Sequence, residues 1–105
     1  HLRTSKTGED GAPLAARGAA ALGRIAHVVY TRAASGAGVL YVDGARRAEH
    51  AVPGDFSSWD NSYRLAIAGD AKGRKPWLGE YRLVAVYRRA LPAAEVQMNY
   101  RAGAD

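Results

Sequence analysis

Residues 24–52 read RIAHVVYTRAASGAGVLYVDGARRAEHAV, and this stretch decides the fold. The runs 24–32 and 39–42 are rich in β-branched and aromatic residues, a composition typical of strands. Asp43-Gly44 then predicts a type I′ hairpin turn, because both central positions of that turn need a positive φ. The residues from the turn to Val52 return as a third strand, so the stretch predicts an antiparallel meander of three strands.

Two further strands and one helix are expected downstream. In residues 63–68 the large apolar side chains of Tyr63, Leu65 and Ile67 alternate with an arginine and two alanines, which predicts a strand. Residues 78–87 form the longest strand candidate, and the apolar side chains on both faces of its second half predict double-sided burial or a bulge. A helix follows Pro92, which suits a first helical position, with Glu95 in its first turn and Gly103 at its end.

Length and composition exclude several classes of protein. A chain of 105 residues allows one domain, and no apolar run reaches the roughly 18 residues that a membrane-spanning helix needs. The absence of cysteine excludes disulfides and zinc-thiolate sites. The net charge of +5 comes from scattered short clusters, which favours a solvated surface over nucleic-acid binding.

The order of these elements resembles the laminin-G-like jelly roll of the concanavalin A-like lectin/glucanase superfamily. The resemblance covers residues 24–101 and is carried by HVVYT at 27–31, LYVDG at 40–44, YRLAIA at 63–68, WLGEY at 77–81 and RALPAAEV at 89–96. It implies an all-β fold, an antiparallel β-sandwich with one short C-terminal helix. Such a sandwich can run to roughly 200 residues. Residues 1–105 are therefore interpreted as the C-terminal portion of one such domain, incomplete at the N-terminal side.

The resemblance does not extend to the catalytic pattern of the superfamily's enzymes. Those enzymes cleave β-glucans with paired carboxylates on one strand, and retaining hydrolysis needs the two groups roughly 5–5.5 Å apart. Alternate residues of a strand face the same way, so Glu80 would need an acidic residue at 82 or 84, where Arg82 and Val84 stand. We therefore expect no enzyme activity. The alternative of a glycoside hydrolase whose carboxylates lie in the missing segment stays open.

The loop 55–62, DFSSWDNS, is the candidate ligand-binding segment. Trp59 could stack on a sugar while Asp60 and Asn61 bond to its hydroxyls. An equally supported interpretation has Trp59 covering the end of the sandwich, with its N–H donated to a backbone carbonyl. Trp77 is a further candidate, although packing is favoured over ligand stacking for it.

Calcium is the one metal that the resemblance implies, because members of this fold often hold Ca²⁺ at the rim of the sandwich. The candidate ligands are Asp55, Asp60 and Asp70, with Asn61 beside them. Calcium needs about six to eight oxygen ligands. The alternative, which the lack of an EF-hand-like run favours, is that these residues form Asx turns. No other cofactor is expected.

The sequence predicts a non-catalytic recognition module that binds carbohydrate or another protein or domain. The wording of 52–57 through 83–87 resembles a variant found in large exported bacterial proteins, which implies an extracellular or periplasmic location. A purely structural spacer is the alternative. If early strands are missing, the open sheet edges carry unpaired backbone groups, and association through those edges is expected.

Overall fold

A three-stranded antiparallel sheet and one helix make up the regular structure of the chain. The computed structural model describes residues 1–18, 23–62, 66–67, 69, 73 and 76–104. Within them lie β1 (Val28–Arg32), β2 (Ala37–Val42), β3 (Ala45–Ala51) and α1 (Ala93–Ala102). The strands pair in the order β1-β2-β3, which confirms the predicted meander.

The turn between β2 and β3 has the predicted conformation. Asp43 and Gly44 have φ angles of 52° and 77°, so both central residues are in the left-handed region that a type I′ turn requires. The Asp43 carboxylate also reaches the residues before β1, accepting from the His27 N–H at 2.9 Å and from Arg24 at 2.5 Å. The His27 bond first, and Arg24 second, lower the pKa of Asp43. The turn therefore joins β2 to β3 along the chain and is also tied by hydrogen bonds to the residues that lead into β1.

The helix covers one face of the sheet. The register pairs Val29 with Tyr41, and alternation along β2 places Val39 on the same face. Tyr41 packs there against Leu91 and Val96 in the hydrophobic core, with Val29 and Val39 at its border. Val96 is completely buried, so the first turns of α1 lie directly on the sheet.

The helix has the predicted extent to within one residue. Pro92 is the N-cap rather than the first helical residue, and Glu95 in the first turn pairs with Arg89 at 2.7 Å. Gly103, at φ 76°, ends the helix and donates its N–H to the Tyr100 carbonyl at 3.2 Å. In the part of the chain that the structure describes, no helix is both long and apolar enough to cross a bilayer.

The N-terminal residues are tied to the segment that follows β3. Within the N-terminal stretch, a single antiparallel bridge joins Leu2 to Ala12. Thr4 is 1% exposed, and its hydroxyl donates to the Pro53 carbonyl at 2.5 Å. The Ser5 N–H donates to the Asp55 carbonyl at 2.8 Å. These bonds hold the start of the loop 55–62 against the N-terminal stretch.

The predicted strand at 78–87 is wrong. The structure places no strand among the described residues 76–90, and residues 76–89 are exposed, with Leu78 95% and Val86 82% exposed. A strand is stabilised by hydrogen bonds to a neighbouring strand, and no described residue pairs with this segment. Its apolar, β-branched composition favours a strand, but a strand would need a partner strand to pair with.

The second sheet of a sandwich is not among the described residues. Of the strand predicted at 63–68, residues 63–65 and 68 lie outside the described part, and 66–67 are not in a strand. What the structure shows is therefore one antiparallel sheet with a short C-terminal helix on one face. The completeness of the sandwich stays a prediction.

Replacing Gly44 with valine should lower the free energy of unfolding by more than about 1 kcal/mol. A β-branched residue disfavours a φ of 77°, and a Cβ at this position would lie 3.0 Å from Cδ1 of Tyr100 in α1. Denaturant unfolding followed by circular dichroism measures the loss. Ala45→Val adds the same side chain at the first, exposed residue of β3 and should change stability little. Equal stabilities of the two variants would contradict this turn assignment.

Candidate functional site

The loop 55–62 presents two aromatic rings to solvent. The rings of Phe56 and Trp59 are in contact, with centroids 4.9 Å apart and planes tilted by 54°. Phe56 is 46% exposed and Trp59 is 53% exposed. The backbone N–H of Trp59 donates to the Phe56 carbonyl at 3.0 Å, which closes a turn between the two residues. We call this pair of rings the aromatic ledge.

The Trp59 ring of the aromatic ledge is held in place by a side-chain hydrogen bond. Nε1 of Trp59 donates to the backbone carbonyl of Arg3 at 2.8 Å. The indole therefore satisfies its single polar group against the N-terminal stretch while about half of its surface stays accessible. The structure thus combines the backbone hydrogen bond of one sequence interpretation with the accessible ring of the other.

Arg32, the last residue of β1, holds the beginning of the loop. Nε and Nη2 donate to the Val52 carbonyl at 3.2 and 2.9 Å, and Nη2 also donates to the Gly54 carbonyl at 2.5 Å. The guanidinium carbon lies 5.3 Å from the centroid of the Phe56 ring, within range of a cation–π contact. A planar fork with several donors suits this double contact better than a single ammonium would.

The sequence analysis missed Arg32 because no local pattern marks an arginine that reaches across 20 residues. The predicted meander did contain a usable signal. The strand register pairs Arg32 with Gly38, and Gly38 with His50. The end of β1 and the end of β3 therefore lie at the same end of the sheet, with only β2 between them. A long basic side chain at that position can therefore reach the carbonyls that follow β3.

Asp55 and Asp60 each cap a turn within the loop. Oδ1 of Asp55 accepts from the N–H and the hydroxyl of Ser57, at 3.0 and 2.5 Å. Oδ1 of Asp60 accepts from the N–H of Ser62 at 2.7 Å and also from its hydroxyl. The Ser57 hydroxyl is the main cause that lowers the pKa of Asp55, and the Ser62 hydroxyl lowers that of Asp60. Both residues thus form the Asx turns that were weighed against calcium.

The remaining candidate residues are placed differently. Asn61 is exposed in the loop, next to Asp60. Trp77 lies in the later segment, 44% exposed, with its ring centroid 5.1 Å from that of Tyr81. Asp70 lies outside the described residues. Within the described ranges, no three or more acidic or histidine side chains are grouped so that they could hold a metal ion.

A small cavity lies on the sheet face opposite α1, and the sequence analysis did not anticipate it. Its volume is about 290 Å³, and its lining consists of His1, Leu2, Leu14, Tyr30 and Leu40. Tyr30 and Leu40 are paired across β1 and β2. Burial raises the pKa of Tyr30, opposed by the charge of Arg32. The lining is largely apolar. Because it comes from the sheet and from the N-terminal stretch, we interpret the cavity as a gap in the packing between them.

Comparison with protein families places the chain. A family model of laminin-G type, described as the concanavalin A-like lectin/glucanases superfamily, matches residues 1–97. Curated proteins give no match to the chain, and neither do solved structures. The matched range includes the N-terminal stretch as well as the residues on which the sequence resemblance rested. Ser5 and the Arg3 carbonyl join that stretch to the loop 55–62, and Thr4 joins it to Pro53 just before the loop.

Replacing Arg32 with alanine should cost about 1–3 kcal/mol of stability, because the Val52 and Gly54 carbonyls lose their charged donor. Arg32→Lys keeps the charge but loses the fork, so we expect it to recover only part of that loss. Hydrogen exchange should show faster exchange at the Ser5 and Asp55 amides while the amides between β1 and β2 keep their protection.

The matched control is Arg47→Lys, because Arg47 is an exposed arginine on β3. It should leave both the stability and the exchange of the loop amides unchanged. Full recovery by Arg32→Lys, or unchanged exchange at the loop amides in Arg32→Ala, would contradict the role given to the guanidinium fork.

Proposed function

We propose that this chain, which belongs to the concanavalin A-like lectin/glucanase superfamily, is a non-catalytic recognition module that binds carbohydrate through the aromatic ledge. Membership of the superfamily is consistent with a binding module, and the geometry of the loop 55–62 supports carbohydrate as the ligand. Function resides in a site rather than in a fold, so the proposal rests on the ledge and its flanking polar groups.

The proposal is carried by one observation: the Trp59 ring is exposed, and its indole N–H is already bonded to the Arg3 carbonyl. A ring that is held in place before binding loses little rotamer freedom when a ligand arrives. One face of a pyranose carries mostly C–H groups and can lie flat on an indole. Burying apolar surface between the two is favourable by roughly 25 cal/mol per Å².

The polar side chains next to the ledge supply the other half of sugar recognition. Asp60 and Asn61 follow Trp59 directly, and all three are exposed. A carboxylate accepts hydrogen bonds from sugar hydroxyls, and an amide both donates and accepts. An apolar platform with a few fixed polar groups at its rim is the usual composition of a small-molecule site.

We further propose that the module is not an enzyme, needs no metal for binding and acts outside the cytoplasm as part of a larger exported protein. The exposed Glu80 pairs with Arg82 at 3.5 Å, where a glycosidase of this superfamily would need a second carboxylate. Asp55 and Asp60 each use Oδ1 to accept hydrogen bonds within an Asx turn, which supports a role in the turns and not in metal binding. The location rests on the resemblance to exported bacterial proteins alone.

A second candidate function is docking to another protein or domain, and an exposed apolar segment favours it. The apolar strip consists of side chains that are between 44% and 95% exposed: Trp77, Leu78, Tyr81, Leu83, Val84, Val86 and Tyr87. Monomeric proteins rarely expose so many neighbouring apolar side chains unless they mark an interaction surface. The two outer strands, β1 and β3, also have edges that no described strand covers.

The main proposal is tested by replacing Trp59 with alanine. A glycan array with the intact chain identifies a ligand, and calorimetry then measures its affinity. We expect a loss of about tenfold to a hundredfold in affinity. The stability loss should be about 1–2 kcal/mol, from one hydrogen bond and one ring contact, below the roughly 3–5 kcal/mol of a buried tryptophan.

The control is Met98→Ala, since Met98 is 62% exposed on α1, outside both the loop and the apolar strip, and the glycan affinity of this variant should equal that of the natural chain. Binding should also persist in EDTA. No glycan bound by the intact chain, or equal affinity for Trp59→Ala, would refute the assignment of the ledge. Loss of binding in EDTA would instead restore the calcium interpretation of Asp55, Asp60 and Asp70.

The docking candidate predicts that the chain self-associates at concentrations of tens of micromolar or more, because apolar side chains and strand edges are open. Sedimentation velocity measures this directly. The double variant Leu83→Lys/Val86→Lys places charges on the strip, at side chains that are 63% and 82% exposed, and should shift the chain toward monomer. Arg88→Lys is the neutral control. A monomeric natural chain across this range would contradict the candidate.

A further inference from the structure

The outer edge of β1 carries backbone groups that no described residue satisfies. The Asp43 N–H donates to the His27 carbonyl, so these two residues form a hydrogen-bonded pair just before β1. Hydrogen-bonded and non-bonded pairs alternate along an antiparallel ladder, so every second residue after His27 bonds to β2. The N–H and C=O groups of Val28, Tyr30 and Arg32 therefore point away from β2, where the described structure gives them no hydrogen-bond partner.

The side chains along this edge are accessible and almost uncharged. Val28 is 54% exposed and Tyr30 is 36% exposed, both on the sheet face opposite α1. The only charged residue of β1 is Arg32, and its guanidinium is bonded to the Val52 and Gly54 carbonyls. Natural proteins protect outer strands with charged side chains and bulges, among other devices. In contrast, β1 pairs with β2 without a bulge and offers no charge beyond the engaged Arg32.

The other outer strand, β3, is protected in both of these ways. Its charged and titratable residues are Arg46, Arg47, Glu49 and His50. Arg47 has no partner in β2, because the register shifts by one residue there, which is a β-bulge. Charges and bulges both oppose the pairing of an outer strand with another chain. The two edges of the sheet therefore differ, and β1 is the edge open to a further strand.

A second copy of the chain offers a strand that matches this edge. Antiparallel pairing of β1 with β1 of the second copy, centred on Tyr30, would bond all of the outward N–H and C=O groups of both strands. The two Tyr30 rings would lie opposite each other, and cross-strand aromatic pairs stabilise a sheet. Each Val28 would lie opposite Arg32 of the other copy, so the two arginines would stand at opposite ends and like charges would not meet.

We propose that the chain forms a two-fold dimer through the edge of β1, with one continuous six-stranded sheet. This inference rests on the docking candidate of the proposed function and names its partner and its surface. Only five residues pair on each side, so the interface is small and its affinity is about micromolar or weaker. The apolar strip is a separate surface, so variants of the edge and of the strip can be compared.

Disulfide trapping tests the register, because the chain has no cysteine of its own. In Tyr30→Cys the two introduced thiols face each other at a Cα separation of about 5.5 Å, within the range that a disulfide spans. In Val28→Cys the two thiols are offset along the strands by about 13–14 Å, and no disulfide can bridge them. With diamide as the oxidant, non-reducing electrophoresis should show covalent dimer for Tyr30→Cys and little for Val28→Cys. Equal trapping of the two variants, or none of either, would overturn this pairing.

Sedimentation velocity tests the edge independently of an introduced thiol. Val28→Lys places a lysine opposite Arg32 of the second copy, twice in each dimer, so the dissociation constant should rise about tenfold or more. Ala45→Lys is the matched control, because it adds the same charge at the exposed first residue of β3 and should leave the dissociation constant unchanged.

The outcomes separate this inference from the docking candidate. Association that persists in Val28→Lys but is lost in Leu83→Lys/Val86→Lys would overturn the β1 dimer and leave docking through the strip intact. Weakening by Val28→Lys without any trapped dimer would assign the edge to a different segment and overturn the self-pairing. Equal weakening by Val28→Lys and Ala45→Lys would show an effect of net charge alone, which also overturns it. A natural chain that stays monomeric would contradict the docking candidate itself, and this dimer with it.

Discussion

The left-handed turn at Asp43 and Gly44 is the constraint on which the rest of the structure depends. It sets the pairing of β2 with β3, and the Asp43 carboxylate ties the same turn to the His27 N–H ahead of β1. A slip of one residue would move every side chain of a strand to the other face. Tyr41 would then leave the core under α1, and the end of β1 would no longer place Arg32 beside the carbonyls after β3. The candidate site thus depends on this turn for its anchor.

The parts of the fold that the sequence predicted are those whose cause is local. The two positive φ angles of the turn need only Asp43 and Gly44, and the helix needs only Pro92, its apolar face and Gly103. The segment 78–87 has an equally strong local preference for a strand, yet it is exposed and pairs with no strand among the described residues. A strand-like composition shows that the side chains of a segment suit a sheet. A strand forms only where a neighbouring strand completes the backbone hydrogen bonds.

The candidate site divides along the same line. The composition of the loop 55–62 was sufficient to nominate Trp59 and Asp60, and turn chemistry was sufficient to suggest that the aspartate caps a turn. What could not be predicted was how the ring is held, because the Arg3 carbonyl lies 56 residues away in sequence. Arg32 was missed for the same reason. Non-local contacts to backbone carbonyls leave no mark on side-chain patterns.

These anchors have a common chemistry that bears on how such a loop can change. Trp59 bonds to the Arg3 carbonyl, Arg32 to those of Val52 and Gly54, and the buried Thr4 to that of Pro53. Every acceptor is a main-chain oxygen, which any residue at that position would supply. The positions that face a ligand, by contrast, are exposed side chains that contribute little to the core. The loop can therefore change its contacting residues, and with them its ligand, while the donors that hold it in place stay the same.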